Sequence, residues 1–77
     1  MGRIGGGKLM NKYHCVRQRY YDNGNIDVIM YTVWVKGDKP QNTSVARGRY
    51  DIYCDYFDTI SEAEAFMQKA KKQGGIR

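Results

Sequence analysis

Hydrophobic and polar positions alternate with a period of two over most of this chain, and switch to a helical period near its end. Residues 12–21 (KYHCVRQRYY) and 26–36 (IDVIMYTVWVK) are rich in β-branched and aromatic residues and predict two strands. Between them lies DNGN. The Asn23-Gly24 pair predicts a two-residue type I′ turn, because both central positions of that turn need positive φ. Such a turn sets the register: Tyr21 opposes Ile26, Arg19 opposes Val28, Arg17 opposes Met30 and Tyr13 opposes Trp34. One face of the hairpin then carries His14, Val16, Ile29, Tyr31, Val33 and Val35. The other carries Cys15, Arg17, Arg19, Val28, Met30, Thr32 and Trp34.

Residues 37–48, with the chain's one proline at Pro40, read as a long loop. Residues 49–57 (RYDIYCDYF) predict a third strand, with Tyr50, Ile52, Cys54 and Tyr56 on one side and Asp51, Tyr53 and Asp55 on the other. A helix follows. Ser61 and Glu64 have capping-box spacing, and Ala63, Phe66, Met67 and Ala70 form an apolar stripe at helical spacing. Glu62 and Glu64 stand in its first turn, Lys69, Lys71 and Lys72 in its last, as the helix dipole favours, and Gly74-Gly75 ends it.

These elements predict an α+β fold: a three-stranded antiparallel sheet in order 1-2-3 with one C-terminal helix packed on one face (βββα). The expected core sets Val16, Ile29, Tyr31, Val33, Ile52, Cys54 and Tyr56 against Ala63, Phe66 and Met67. That arrangement sends the strand-3 aspartates to the uncovered side, as the cost of burying charge requires. A single domain is expected over residues 10–73, with a disordered leader over 1–9 and a tail over 74–77.

The leader contains Gly2, Gly7 and Lys8 at the spacing of a phosphate-binding loop. That motif needs an entering strand, a following helix and a hydroxyl after the lysine. Here Leu9 holds the hydroxyl position and a strand pattern follows, so a nucleotide site is not expected. A tag, a flexible linker or a true start at Met10 are the alternatives.

Composition narrows the function classes. The 77 residues carry thirteen Lys and Arg against eight Asp and Glu, a net charge of +5. Setting aside Arg3 and Lys8 leaves eleven against eight, or +3, a mildly basic balance compatible with nucleic acid without requiring it. Two cysteines make no disulfide framework, and the expected location is the cytoplasm. No apolar run approaches a membrane span.

Candidate chemistry is sparse. His14 is the one histidine and is expected on the helix-facing side as a structural residue. Cys15 and Cys54 are expected on opposite faces, which excludes a shared metal or a disulfide. No base stands beside a nucleophile. No enzyme activity, cofactor, metal or small-molecule substrate is expected.

The uncovered sheet face is therefore the expected site. Tyr13, Met30, Trp34 and Tyr53 give it an aromatic centre, Arg17 and Arg19 a basic rim, and Asp51 and Asp55 an acidic rim. This mixture suits a protein partner or a second copy of the chain. The alternative is DNA or RNA bound through Arg17, Arg19, Trp34, Arg47 and Arg49. The long loop folding over this face would remove either function.

The stretch FDTISEAEAF (57–66) resembles the ending of small sheet-plus-helix domains. It is similar to the AP2-like arm-binding N-terminal domains of phage and transposon tyrosine recombinases, and to the hybrid-binding domain of some ribonucleases H. The resemblance implies a βββα fold, a phage or mobile-element setting, and nucleic-acid contact through Arg17, Arg19, Tyr31 or Trp34.

Overall fold

A computed structural model describes residues 10–74. The expected leader over 1–9, with its glycine run, and residues 75–77 of the expected tail lie outside the described residues. Within them the order is β1 (Asn11–Tyr21), β2 (Ile26–Val35), β3 (Thr43–Ala46), β4 (Tyr50–Phe57) and α1 (Ile60–Gln73). The sheet is antiparallel with four strands in order β2-β1-β4-β3, and α1 packs on one face.

Two features of the expected sheet are corrected. The loop expected over 37–48 contains β3, a four-residue strand that pairs Thr43 with Cys54 and Ala46 with Asp51. Four residues, two polar followed by two apolar, do not alternate and so do not register as a strand, and pairing with β4 is what makes them one. The order 1-2-3 is also replaced. β1, not β2, is central, and β2 forms an edge. The chain leaves β2, runs along the end of the sheet and returns from the far side. Contacts along that path are made by Asn11 Nδ2, which donates to the Gly37 carbonyl, and by Lys39 Nζ, 3.5 Å from Asp58. Asn42 Oδ1 accepts from the Tyr56 amide at 2.9 Å. The loop thus meets strand ends and does not lie over the face.

The hairpin turn is also one residue longer than expected. The Gly24 amide donates to the Tyr21 carbonyl and the Tyr21 amide donates to the Asn25 carbonyl, both at 2.9 Å. This is a three-residue loop, Asp22-Asn23-Gly24. Only Gly24, at φ 92°, has positive φ, whereas a type I′ turn would need it at Asn23 too. Asn23 instead accepts the Asn25 amide through Oδ1 at 3.0 Å, a side-chain turn that asparagine favours. The observed loop is a type I turn closed by a left-handed glycine.

That extra residue shifts the register by one. Arg17 opposes Ile29, Cys15 opposes Tyr31, Tyr13 opposes Val33, Val16 opposes Met30 and Gln18 opposes Val28. A one-residue slip moves every side chain of one strand to the other face, so the expected core is largely inverted. α1 covers the face with His14, Val16, Gln18, Val28 and Met30. From β4 that face receives Asp51, Tyr53, Asp55 and Phe57. The Phe57 and Phe66 rings meet there at 5.1 Å between centroids.

Val16, Gln18, Ala63 and Ala70 are fully shielded, and His14 nearly so, with Thr32 Oγ1 at 3.3 Å from its Nδ1. The alanines let the helix approach the sheet closely. Tyr20 donates its hydroxyl to Gln18 Oε1 at 2.7 Å, which meets the requirement that a buried amide be hydrogen bonded. Full burial of an aliphatic side chain such as Val16 contributes about 1.5–3 kcal/mol.

The helix cap also differs from expectation. Thr59, not Ser61, is the N-cap: its Oγ1 accepts from the Glu62 amide at 3.2 Å, and the Glu62 carboxylate accepts from the Thr59 amide at 3.3 Å. Ser61 lies inside the first turn, beyond the capping position. At the other end Gly74 adopts the left-handed conformation at φ 73° and caps α1, with Lys71 and Lys72 in the last turn.

Candidate docking face

The face away from α1 is built on alternate residues of β1. Tyr13, Cys15, Arg17, Arg19 and Tyr21 form its central column. β2 flanks them with Ile29, Tyr31 and Val33, and β4 with Tyr50, Ile52, Cys54 and Tyr56; Val45 of β3 lies beyond Ile52. Val45 and Tyr31 are exposed and most of the others half-buried. No lysine or glutamate belongs to these strand positions, and the charged residues are Arg17, Arg19 and Asp27.

Arg17 stands between Ile29 and Cys54, and Arg19 between Asp27 and Ile52. Arg19 is held in place. Its Nη1 donates to the Tyr21 hydroxyl at 3.3 Å, and its guanidinium lies 5.6 Å from the centroid of the Tyr50 ring, within cation–π range. Tyr21 and Tyr50 in turn meet at 5.2 Å. The Nε atoms of Arg17 and Arg19 are both buried and meet no hydrogen-bond partner among the described residues. A buried donor left without an acceptor costs about 1–3 kcal/mol, a cost that an incoming acceptor would relieve.

Next to the arginines is a cluster of thiols and phenols. Cys15 and Cys54, expected on opposite faces, share this one because β4 pairs directly with β1, in a register that sets its even-numbered residues beside odd-numbered residues of β1. Both are free thiols. Cys15 is fully shielded although no helix covers it. Burial pushes its thiol up to about 11, while hydrogen bonding with Tyr31 pulls the other way. The Tyr31 phenol is raised by its hydrogen bond to Cys15 and by burial, and the Tyr56 phenol chiefly by burial. At neutral pH Cys15, Tyr31 and Tyr56 are uncharged donors and acceptors. Among the described residues no three His, Cys, Asp or Glu side chains converge to hold a metal ion.

The expected site residues are therefore divided. Tyr13, Arg17 and Arg19 lie on the open face. Met30, Trp34, Asp51, Tyr53 and Asp55 lie on the helix side, because β2 and β4 turn over relative to the expected register. Tyr53 packs edge-on against Tyr20 there at 5.3 Å. Trp34 sits at the sheet's edge, 59% exposed, with Lys12 Nζ 5.5 Å from its ring centroid.

Asp51 and Asp55 are only half-buried because α1 lies mainly over β1 and β2. Burial raises the Asp55 carboxyl above its ordinary value. Arg47 and Arg49 occupy the β3–β4 turn, where the Arg49 carbonyl accepts from the Asp22 amide at 3.0 Å. The two turns thus meet at one end of the sheet, around a shallow recess lined by Tyr21, Asp22, Asn23, Arg49 and Tyr50.

Tyr21, Ile29, Tyr50, Ile52 and Tyr56 are face residues that the sequence reading did not assign. Comparison of the chain with protein-family models, with curated proteins and with solved structures finds no match.

Proposed function

We propose that this chain is a small non-enzymatic docking module whose open sheet face holds a protein segment presenting carboxylates among apolar side chains. The observation that carries this reading is the pair of arginines on the central strand, each with a buried Nε that meets no acceptor among the described residues. They are walled by tyrosine, isoleucine and valine. Tyrosine and arginine are enriched at protein interfaces and dominate their binding energy, whereas lysine and glutamate are depleted there. A carboxylate meets a guanidinium through short, charge-assisted hydrogen bonds, and the apolar walls strengthen them by excluding water. The expected acidic rim is absent from this face, so a face-to-face pair of copies would set arginines against arginines. This favours a partner other than the chain itself on this face.

A second reading, nucleic-acid binding, gains from the same correction. With Asp51 and Asp55 on the helix side, Arg17 and Arg19 are no longer opposed across the face. Arg47 and Arg49 add cations in the β3–β4 turn. Against it, Asp27 belongs to the face and lysine does not, whereas nucleic-acid interfaces are strongly positive.

Selection of random peptides on the immobilised protein separates the two. Enriched peptides should combine Asp or Glu with apolar residues and lose binding to the Arg17→Gln/Arg19→Gln double variant. Peptides without acidic enrichment, or equally bound by the variant, would reject the docking reading. Labelled duplex DNA bound with steep salt dependence, lost in the same variant, would establish the second.

A further inference from the structure

The edge of the sheet carries an inference independent of the open face. Edge strands expose a row of backbone donors and acceptors, and natural proteins guard them with short length, charge, proline or bulges. β3 is guarded: it has four residues, with Pro40 and two arginines in the segments beside it. β2 is not. It is ten residues long, IDVIMYTVWV, with one charged residue, Asp27, and neither proline nor glycine. It also carries two of the large exposed aromatic residues, Trp34 and Tyr31.

The hydrogen-bond phase identifies which backbone groups are free. The Tyr21 amide bonds the Asn25 carbonyl. Alternation along an antiparallel pair then turns the backbone of Asp27, Ile29, Tyr31, Val33 and Val35 towards β1. Val28, Met30, Thr32 and Trp34 direct theirs outward, where no strand lies beyond β2 among the described residues.

We propose that β2 pairs with β2 of a second copy, antiparallel about a two-fold axis, to give a continuous eight-stranded sheet. Two identical edges related by a two-fold axis in this way are antiparallel and self-complementary. With the axis at Tyr31, Met30 bonds Thr32 of the second copy, and Val28 bonds Trp34, covering the exposed indole. The charge pattern fits. Each Asp27 falls opposite Val35 of the other copy, and the two aspartates stand about 27 Å apart, taking ~3.4 Å per residue. α1 reaches Ile26 and Val28 through Ala70 and Gly74, and leaves Thr32 and Trp34 exposed. In the pair both open faces lie on the same side of the sheet.

The test is the molar mass of the chain by light scattering and sedimentation from micromolar to millimolar concentration. The mass should double with concentration. Thr32→Pro removes an outward amide that serves no strand of its own copy, and proline is tolerated on an edge. It should give a monomer with an unchanged circular-dichroism spectrum. Because that change also removes the Thr32–His14 contact, Trp34→Lys is the companion variant. It places a charge on the edge and should weaken association roughly tenfold or more. A wild-type monomer at every concentration overturns the proposal, as does a dimer unaffected by Trp34→Lys. A dimer lost in Arg17→Gln/Arg19→Gln but kept in Trp34→Lys would also overturn it, placing self-association on the open face.

Discussion

Cys15 lies on the face that no helix covers, yet the structure predicts that it resists thiol reagents. Its side chain is fully shielded, and burial carries the thiol from an ordinary 9.0 to about 11. The thiolate is the reactive form. Near pH 8 a thiol at 9.0 is about one-tenth ionised, and one at 11 about one-thousandth, so ionisation alone slows reaction by about 100-fold. Steric cover adds to that factor. The perturbation is Cys54→Ser, which leaves Cys15 as the single thiol, with burial, the largest influence raising it, still in place.

Labelling with a chromogenic disulfide near pH 8 is then followed in the native protein and in concentrated urea. The native rate should be at least about 100-fold slower, and should accelerate in Tyr31→Ala, which opens the site. A native rate within a few-fold of the unfolded rate would refute the reasoning. It would mean that Tyr31 and Tyr56 do not cover the thiol.

Other outcomes follow from the same coordinates. Thr59→Ala removes the hydroxyl that accepts the Glu62 amide, the side-chain half of the capping box, and should cost about 1 kcal/mol, lowering the melting temperature by about 4–8 °C. Asp55→Asn removes a carboxylate whose charged form burial disfavours. The variant should therefore be the more stable at neutral pH, with the difference closing in acid once wild-type Asp55 is protonated in both states. In alkali the unfolded chain ionises Cys15 before the folded chain does, so urea midpoints should fall as pH rises from 9 towards 11. Gly24→Ala forces a side chain into φ 92° and should cost about 1–2 kcal/mol by urea denaturation.

Strand and helix types were legible in this chain because they rest on local alternation and capping chemistry. The central hairpin and α1 follow from β-branched and aromatic runs, an Asn-Gly turn and a helical apolar stripe. Which face is covered was not legible: the first turn decided it for β2, and direct pairing with β1 decided it for β4. Asn-Gly serves both a two-residue turn and the last two positions of a three-residue turn, and the two differ in the φ of Asn23. β1 was expected at the edge because the simplest assembly takes the strands in chain order. The structure reverses them: Gln18 is buried by bonding Tyr20, and His14 lies beside Thr32. The partner of Gln18 lies two residues along its own strand, while Thr32 meets His14 only through the β1–β2 register, which composition does not encode. Arg17 and Arg19 were legible as residues of the open face because both sit on β1, the strand whose face assignment did not depend on the turn.

The central pairing of β1 with β4 has a consequence for how the chain is made. Tyr21 and Tyr50 are neighbours across 28 intervening residues, and His14 and Phe57 across 42. The first hairpin closes locally, but its inner strand gains its second neighbour only after residue 57 has left the ribosome, and its helical cover later still. Closing so long a loop is slow relative to forming a hairpin. Until then the nascent chain presents both sides of a two-stranded ribbon to its surroundings or to a chaperone. The last third of the polypeptide therefore determines when the first third becomes safe from misassociation.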